Sequence, residues 1–135
     1  MIELVSVPVQ EVATGQNVLF ENAALHTGCA ERHRAGSGVV TIAKPGIYLV
    51  TFNADIAIPT GGEVGEIRAA LELDGESLPG SEMSVTPAAV ENYFNVSTSH
   101  LVRMCCPCCV NISAANASTQ AINFRNANLT VERKA

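Results

Sequence analysis

The chain has 135 residues, of which 47% are apolar and 16% charged, and its formal net charge is −5. This length fits a single domain, residues 1–135, that buries a core without needing a metal or a disulfide. The acidic balance argues against a nucleic-acid partner, because the densest basic group, Arg32 and Arg34, stands beside Glu31. No apolar run in the sequence approaches the roughly 20 residues of a membrane-spanning helix, so we expect no membrane partner.

The small share of charged residues also bears on assembly. Ordinary domains carry about 25% charged residues, so a monomer of this composition would leave apolar surface in contact with water. An interface between copies would cover that surface, and we therefore expect an oligomer. The first residues lack a basic region followed by an apolar stretch, so we expect no signal peptide and synthesis in the cytoplasm, with a virion, cell surface or spore surface as the final location.

Period-two alternation of apolar and polar residues predicts an all-β chain. The predicted strands cover, in chain order, residues 2–9, 18–20, 38–42, 46–58, 67–73, 77–78, 93–104, 109–113, 121–124 and 128–133. Glycine, proline and asparagine recur between them, and Asp74-Gly75 is a two-residue hairpin signal. About ten short antiparallel strands with turns between them indicate a β-sandwich or barrel. We interpret residues 1–14 as an extra strand or arm of this domain.

The clearest strand pattern occupies residues 46–58. Tyr48, Phe52 and the other residues at every second position are apolar, whereas Thr51, Asn53 and Asp55 fall on the opposite face. Asn53 and Asp55 offer too few oxygens for calcium, which takes about six to eight. This strand is therefore predicted to contribute one face to the core.

The start of that strand carries a resemblance to a known family. Pro45, Gly46, Tyr48 and Phe52 form a segment that resembles the proline-glycine-x-tyrosine strand of the complement one-q globular head. That domain belongs to the tumour necrosis factor (TNF)-like jelly-roll superfamily. Residues 18–22, 38–42 and 70–76 are similar to its earlier strands and next hairpin, and residues 126–133 to its last strand as found in bacterial and phage members. The resemblance covers roughly residues 15–134.

The resemblance implies a TNF-like jelly-roll sandwich and a tight homotrimer about a three-fold axis. It also implies a protein or glycan ligand bound at surface loops, for which residues 10–17, 26–37, 59–65 and 79–90 are the candidates. The chain has no Gly-x-y collagen stalk, and cysteines stand where the family has a glycine-aspartate step before a late inner strand. The binding residues of other members therefore do not transfer.

Four of the five cysteines, Cys105, Cys106, Cys108 and Cys109, surround Pro107. Zinc sites combine pairs of ligands from separate segments, and one extended strand cannot surround an ion tetrahedrally. If the segment lies on the inner sheet, three copies would approach the three-fold axis, where a metal or interchain disulfides could form. The alternative, which we favour, is that these are reduced thiols acting as buried packing groups.

A second candidate metal site has the spacing H-x₂-C-x₃-H at His26, Cys29 and His33. Three ligands with an open position are typical of catalytic zinc. Arg32 and Arg34 lie in the same segment and would repel a cation, so a solvated loop is the favoured interpretation. We expect no metal and no other cofactor.

These observations favour a non-enzymatic, trimeric structural or adhesion module, as a component of a phage or prophage virion or of a bacterial surface. A carbohydrate-binding module is one alternative, although the chain has no Trp and two Tyr to serve as aromatic platforms. A metal-dependent cupin-like enzyme is the other, and it would need several histidines and a carboxylate on neighbouring strands.

Overall fold

A computed structural model describes residues 1–105 and 109–135. This part of the chain consists of twelve β-strands, which confirms the predicted all-β class. The strands are β1 (Ile2–Ser6), β2 (Gln10–Val12), β3 (Ala23–His26), β4 (Glu31–His33), β5 (Val39–Ile42), β6 (Gly46–Ala57), β7 (Ile67–Leu73), β8 (Glu76–Ser77), β9 (Met83–Val85), β10 (Phe94–Met104), β11 (Val110–Asn116) and β12 (Ile122–Arg133). Nowhere in the described residues does a helix reach the length and apolarity of a bilayer span.

The strands form a sandwich of two antiparallel sheets. Sheet A has the order β10-β6-β12-β1-β3, with β2 also paired to β12. Sheet B has the order β4-β5-β11-β7-β8, with β9 also paired to β7. Residues 2–12 thus contribute β1 and β2 to sheet A, and the chain passes between the sheets several times, as a jelly roll requires.

The long strand β6 sets the direction of the side chains in sheet A. It pairs with β10 over the full length of that strand, from Gly46 opposite Met104 to Ile56 opposite Phe94. On its other side it pairs with β12. Its even-numbered residues from 48 to 56 are buried, and its odd-numbered residues from 47 to 55 are half-buried. The alternation predicted from the sequence is therefore confirmed in this strand.

The core lies between the two sheets and is built from aliphatic and aromatic side chains. Phe52 of β6 and Phe124 of β12 are fully buried, and their ring centroids lie 6.5 Å apart with planes tilted by 60°. Ile42, Leu71 and Ile112 are fully buried on the strands of sheet B. Burying a side chain of this size contributes about 1.5–3 kcal/mol to the free energy of folding. Each sheet therefore needs the other to keep its apolar face out of water.

The turn into β6 explains the proline-glycine-x-tyrosine motif physically. Gly46 has a φ of +154°, and a Cβ there would lie 2.7 Å from the carbonyl oxygen of Ala135 and 2.8 Å from Nε of Arg133. Glycine therefore lets the last strand pass close to the first residues of β6. Tyr48 is buried, its hydroxyl donates to the carbonyl of Lys44 at 2.7 Å, and burial raises the pKa of this phenol.

Short strands are the main difference from the sequence prediction. β2, β4 and β9 lie inside the segments 10–17, 26–37 and 79–90 that were predicted as loops, and β3 was not predicted. Residues 18–20, in contrast, form no strand. Their backbone bonds go to three different partners: Val18 donates to Ala114, Phe20 donates to Ser37, and Leu19 bonds the side chain of Gln10, from its N–H at 2.9 Å and to its carbonyl at 3.0 Å.

The last strand is continuous where two strands were predicted. β12 runs through Asn126, which takes a φ of +50° at an irregularity between Arg125 and Asn128 in the pairing with β6. Asparagine tolerates this left-handed conformation better than most residues. The bulge allows one strand to continue past the asparagine that looked like a turn in the sequence.

Phe52→Ala should lower the free energy of unfolding by about 3–5 kcal/mol, because it leaves a cavity beside Phe124 in the core. Urea unfolding followed by circular dichroism, at one fixed protomer concentration, measures the change. Val64→Ala is the control, since Val64 is 56% exposed in the segment between β6 and β7, and its effect should stay within about 0.5 kcal/mol. Similar losses for both variants would contradict this account of the core.

Candidate functional site

The face of sheet A that points away from the core, called here the outer face of sheet A, is the candidate functional surface. Strand register aligns its side chains in rows across β10, β6 and β12. The rows are Asn95–Asp55–Arg125, Ser97–Asn53–Asn128, Ser99–Thr51–Thr130 and Leu101–Leu49–Glu132. Among these four rows, aliphatic side chains occur only in the last, at one end of a continuous surface.

The middle rows are polar but satisfy much of their own hydrogen bonding. The hydroxyl oxygens of Thr51 and Ser99 lie 3.3 Å apart, and the hydroxyl of Thr130 donates to Oδ1 of Asn128 at 3.1 Å. Nδ2 of Asn128 donates to Oε2 of Glu3 on β1 at 2.8 Å. Polar groups that already have partners lose less free energy when another surface covers them.

A hydrogen-bonded cluster around Asp55 marks one end of the face. Its Oδ1 accepts from Nδ2 of Asn95 at 3.1 Å, and its Oδ2 accepts from Nδ2 of Asn126 at 3.3 Å and Nε of Arg125 at 3.4 Å. The Arg125 guanidinium also stacks on Tyr93, 3.8 Å from the ring centroid. The hydrogen bond from Asn95, followed by those from Asn126 and Arg125, holds the pKa of Asp55 below its usual value.

The opposite end of the face carries aliphatic side chains. Leu101 of β10 is 64% exposed and lies directly opposite Leu49 of β6. Ile47 follows in the next row, opposite Arg103. Three large aliphatic side chains thus lie together on the surface, at the edge of the sheet.

Exposed apolar side chains are distributed unequally between the two sheets. The large ones are Val7, Val9, Leu19, Leu25, Val64, Val90, Phe94 and Leu101. Those that lie within strands are Leu25 on β3 and Phe94 and Leu101 on β10, all in sheet A. Among the described residues, no strand of sheet B carries one. Sheet A is therefore the sheet with an unburied apolar surface.

Comparison with known proteins finds structural rather than sequence similarity. No protein-family model matches the chain, and no curated protein matches it at a significant level. The globular domain of zebrafish complement 1qA protein matches with a TM-score of 0.73 at 12% identity, covering 99% of this chain and 96% of that one. Eiger TNF from S. frugiperda matches with a TM-score of 0.77 at 9% identity, covering 99% and 91%. Murine APRIL, at pH 5.0, matches with a TM-score of 0.61 at 11% identity, covering 96% of each chain.

The fold is the TNF-like jelly roll. The matches extend over nearly the whole chain, so they include the strands that the sequence did not reveal. At these identities the similarity concerns the fold, and the chemistry of the surface has to be derived from this chain's own residues.

The TNF-like jelly roll separates the histidines of the H-x₂-C-x₃-H segment. His26 lies on β3 in sheet A with its Nε2 2.8 Å from the carbonyl oxygen of Glu31, and His33 lies on β4 in sheet B with its Nε2 2.9 Å from that of Ser37. A carbonyl can only accept, so each Nε2 carries a hydrogen. In the part of the chain that the structure describes, no three His, Cys, Asp or Glu side chains are placed to hold a metal ion.

The cysteine cluster lies where the chain passes from sheet A to sheet B. Cys105 follows the end of β10 in sheet A, and Cys109 precedes β11 in sheet B. Both residues are exposed, so the interpretation as buried packing groups is wrong for these two, and Cys109 is disulfide-bonded, contrary to the expected reduced state. The predictions for Cys106 and Cys108 lie outside the described residues.

Cys29 is an exposed free thiol beside a cation. The Lys44 ammonium, through a hydrogen bond and its charge, lowers the pKa of Cys29, and Arg32 adds to this effect while Glu31 opposes it. A lower pKa raises the share of thiolate at neutral pH and hence the reactivity toward electrophiles. Cys29, one of the residues of the H-x₂-C-x₃-H segment, is thus an accessible thiol.

Neither the cluster around Asp55 nor the contact of Leu49 with Leu101 across two strands was predicted from the sequence. The alternation in residues 46–58 placed Asp55 on the outward face, but its partners come from residues about 40 and 70 positions later. Pairing of that kind depends on which strands are neighbours, and that information is not present in a local pattern.

Asp55→Asn should destabilise the protein at pH 7, and the difference from the parent should shrink as the pH falls below about 4. The pKa of Asp55 is lower in the folded protein than its unfolded value of about 3.9, so its carboxylate stabilises the fold when the pH is above that value. This contribution is lost as the pH falls through the pKa of the folded state. Urea unfolding of both proteins between pH 7 and pH 2.5 measures it. Glu76→Gln, at an exposed position on the short strand β8, is the control, and a gap of constant size for Asp55→Asn would contradict the prediction.

Lys44→Met should slow the alkylation of Cys29 by iodoacetamide at pH 7.5, because the thiolate loses its neighbouring cation. Mass spectrometry of the Cys29 peptide against time gives the rate, and its pH profile should shift to higher pH. Lys134→Met removes the same charge beside Glu132 and should leave the rate unchanged. Equal rates in the parent and Lys44→Met would refute the pairing.

Proposed function

We propose that the chain is a non-enzymatic homotrimeric binding module whose outer face of sheet A is buried between subunits. The observation that carries this proposal is the position of two exposed leucines on this face: Leu101 lies opposite Leu49 on β6, and Leu25 lies opposite Glu3 on β1. Apolar surface of this kind is favourably removed from water by a second copy. That the assembly has three subunits is proposed from the resemblance to the TNF-like superfamily.

The edge of sheet A supports the same interface. β10 is eleven residues long, and among the described strands it pairs with β6 alone. A long edge strand that carries Leu101 exposes both backbone groups and apolar surface, a combination that native proteins usually cover. A neighbouring subunit would cover both at once.

The loops at one end of the sandwich support a display role. Within the 59–65 segment, the backbone N–H of Glu63 donates to Oε1 of Gln120 at 3.0 Å, and Nε2 of Gln120 donates to the carbonyl of Glu63 at 2.7 Å. Thr60 donates from its backbone and its hydroxyl to Oε1 of Glu91, at 3.1 and 3.2 Å. Loops held in this way present a defined shape at little entropic cost to binding.

The positions of the histidines do not match the cupin-like alternative. His26, His33 and His100 lie on β3, β4 and β10, which are divided between the two sheets and are not neighbours in either one. A cupin-like centre needs its histidines on neighbouring strands. The binding role is therefore the function that the described geometry supports best.

A virion or a bacterial surface is the setting that we propose for this module. The support is the form of residues 126–133, which resembles bacterial and phage members of the superfamily. Detection of the chain by mass spectrometry in purified particles or in a cell-surface fraction would test the setting separately from the assembly state.

Size-exclusion chromatography with light scattering should give a mass three times that of the 14.2 kDa protomer at micromolar concentration. Leu101→Asp should shift this mass to that of the protomer, because the interface would bury an unpaired carboxylate. Leu101 is 64% exposed, so circular dichroism should show that the variant keeps its fold.

Leu19→Asp is the matched control, because Leu19 is 52% exposed and lies outside the strands of sheet A. It should leave the mass of the assembly unchanged. A parent protein that runs as a monomer, or a Leu101→Asp variant that stays trimeric, would count decisively against this interface.

A further inference from the structure

Sheet B carries a recess that lies on the other side of the molecule from the proposed interface. Strands β4, β5 and β11, with the turn after β4, surround about 390 Å³ on its outer face. This volume falls in the range of about 300–1,000 Å³ that small-ligand sites occupy. Its lining includes the side chains of Arg32, Arg34, Ser37, Val39, Thr41 and Asn111. We call this region the β4–β5 recess.

Strand geometry separates charges that look balanced in the sequence. Successive side chains of a strand point to opposite faces, so Glu31 is fully buried, with its Oε1 2.6 Å from the α-amino nitrogen of Met1. Arg32 and Arg34 are exposed, and neither forms an ion pair with a carboxylate among the described residues. A protein with a net charge of −5 therefore has two uncompensated guanidinium groups at one recess.

The neutral groups of the recess are oriented as hydrogen-bond donors. Oδ1 of Asn111 accepts from the hydroxyl of Thr41 at 2.9 Å, which leaves the amide NH₂ of Asn111 to donate outward. The hydroxyl oxygen of Ser37 accepts from the backbone N–H of Val39 at 3.0 Å, so its hydrogen is also available. His33 holds the turn in place by donating from Nε2 to the carbonyl of Ser37 at 2.9 Å.

Two carboxylates lie on the far side of β11 from the arginines. Oδ1 of Asp74 accepts from the backbone N–H of Asn111 at 2.9 Å, and Glu72 lies on β7 in the row of Ser113 and Val39. Neither acid is among the residues that line the recess, whereas Arg32 and Arg34 both are. Two charged donors and two neutral ones are the complement of an oxyanion, which accepts hydrogen bonds and donates none.

We propose that the β4–β5 recess binds an acidic saccharide through its carboxylate or sulfate group. Arg32 and Arg34 would hold the oxyanion, while Ser37 and Asn111 would donate to it or to adjacent sugar oxygens. Val39 provides an apolar contact for a ring face. The proposal rests on the proposed binding role but not on the trimer, because every lining residue comes from one chain.

An extended polyanion fits the recess less well than a saccharide. A nucleic acid needs a basic surface that follows many phosphates, and here two arginines stand on an acidic protein. A peptide would need pockets for apolar side chains, whereas Val39 is the single aliphatic residue in the lining. The hydroxyl and amide groups match the oxygens of a sugar.

Titration at about 50 mM salt, monitored by the backbone and side-chain amide NMR signals of Asn111, tests the proposal. The probes are tetragalacturonate, which carries carboxylates, a heparin-derived tetrasaccharide, which carries sulfates, and maltotetraose, which is neutral. We expect saturable shifts with at least one acidic probe and none with maltotetraose. The double variant Arg32→Gln/Arg34→Gln should weaken that binding roughly ten-fold or more.

Arg68→Gln is the control for general electrostatics, because Arg68 lies on β7 of sheet B but is paired with Glu66 and Glu82. It should change the affinity by less than about two-fold. Three results would each overturn the proposal. The first is equal weakening by Arg68→Gln and by each of Arg32→Gln and Arg34→Gln. The others are no binding of either acidic probe, and binding of inorganic sulfate alone. Light scattering on the same samples reports the assembly state, so failure of the trimer and failure of the recess remain distinguishable.

Discussion

β6 lies between β10 and β12, and its register with them decides which residues meet the core and which meet another molecule. A shift of one residue would turn Phe52 outward and bring Thr51 and Asp55 into the interior. The packing of Phe52 on Phe124 opposes such a shift from one side, and the hydrogen bonds to Asp55 oppose it from the other. Core and surface are therefore specified by the same strand pairing.

The two sheets differ in the chemistry of their outer faces. Sheet A presents polar groups that bond one another and an apolar row at its edge, which suits a permanent contact between like subunits. Sheet B presents guanidinium and amide donors without partners among the described residues, which suits a small charged ligand. If both proposals hold, an assembly of three chains carries three equivalent recesses, and a polymeric saccharide that reaches two of them gains avidity beyond one weak site.

The sequence predicted β6, β7 and β10 well because their signals are local, whereas β12 was divided into two strands at Asn126. β6 and β7 combine clear alternation with glycine-rich or Asp-Gly turns. Strands of three residues, such as β4 and β9, give too few positions for a period to be seen. The sequence also suggested that Glu31 neutralises the charges of Arg32 and Arg34. Neighbours in sequence point to opposite faces of a strand, so this error could be seen only once β4 was known. Predicting the hydrogen-bond partners of Asp55 would have required the order of the strands in sheet A.

The position of β12 in sheet A has a consequence for biogenesis. β12 lies between β6 and β1 and pairs with both, so Ile2 lies opposite Val131 at almost the full separation of the chain. During synthesis β1 and β6 emerge long before β12, the strand that joins them. Sheet A can therefore close only after residues 122–133 leave the ribosome, and the dominance of such distant pairings predicts folding on the slow, millisecond-to-second scale of β-sandwiches.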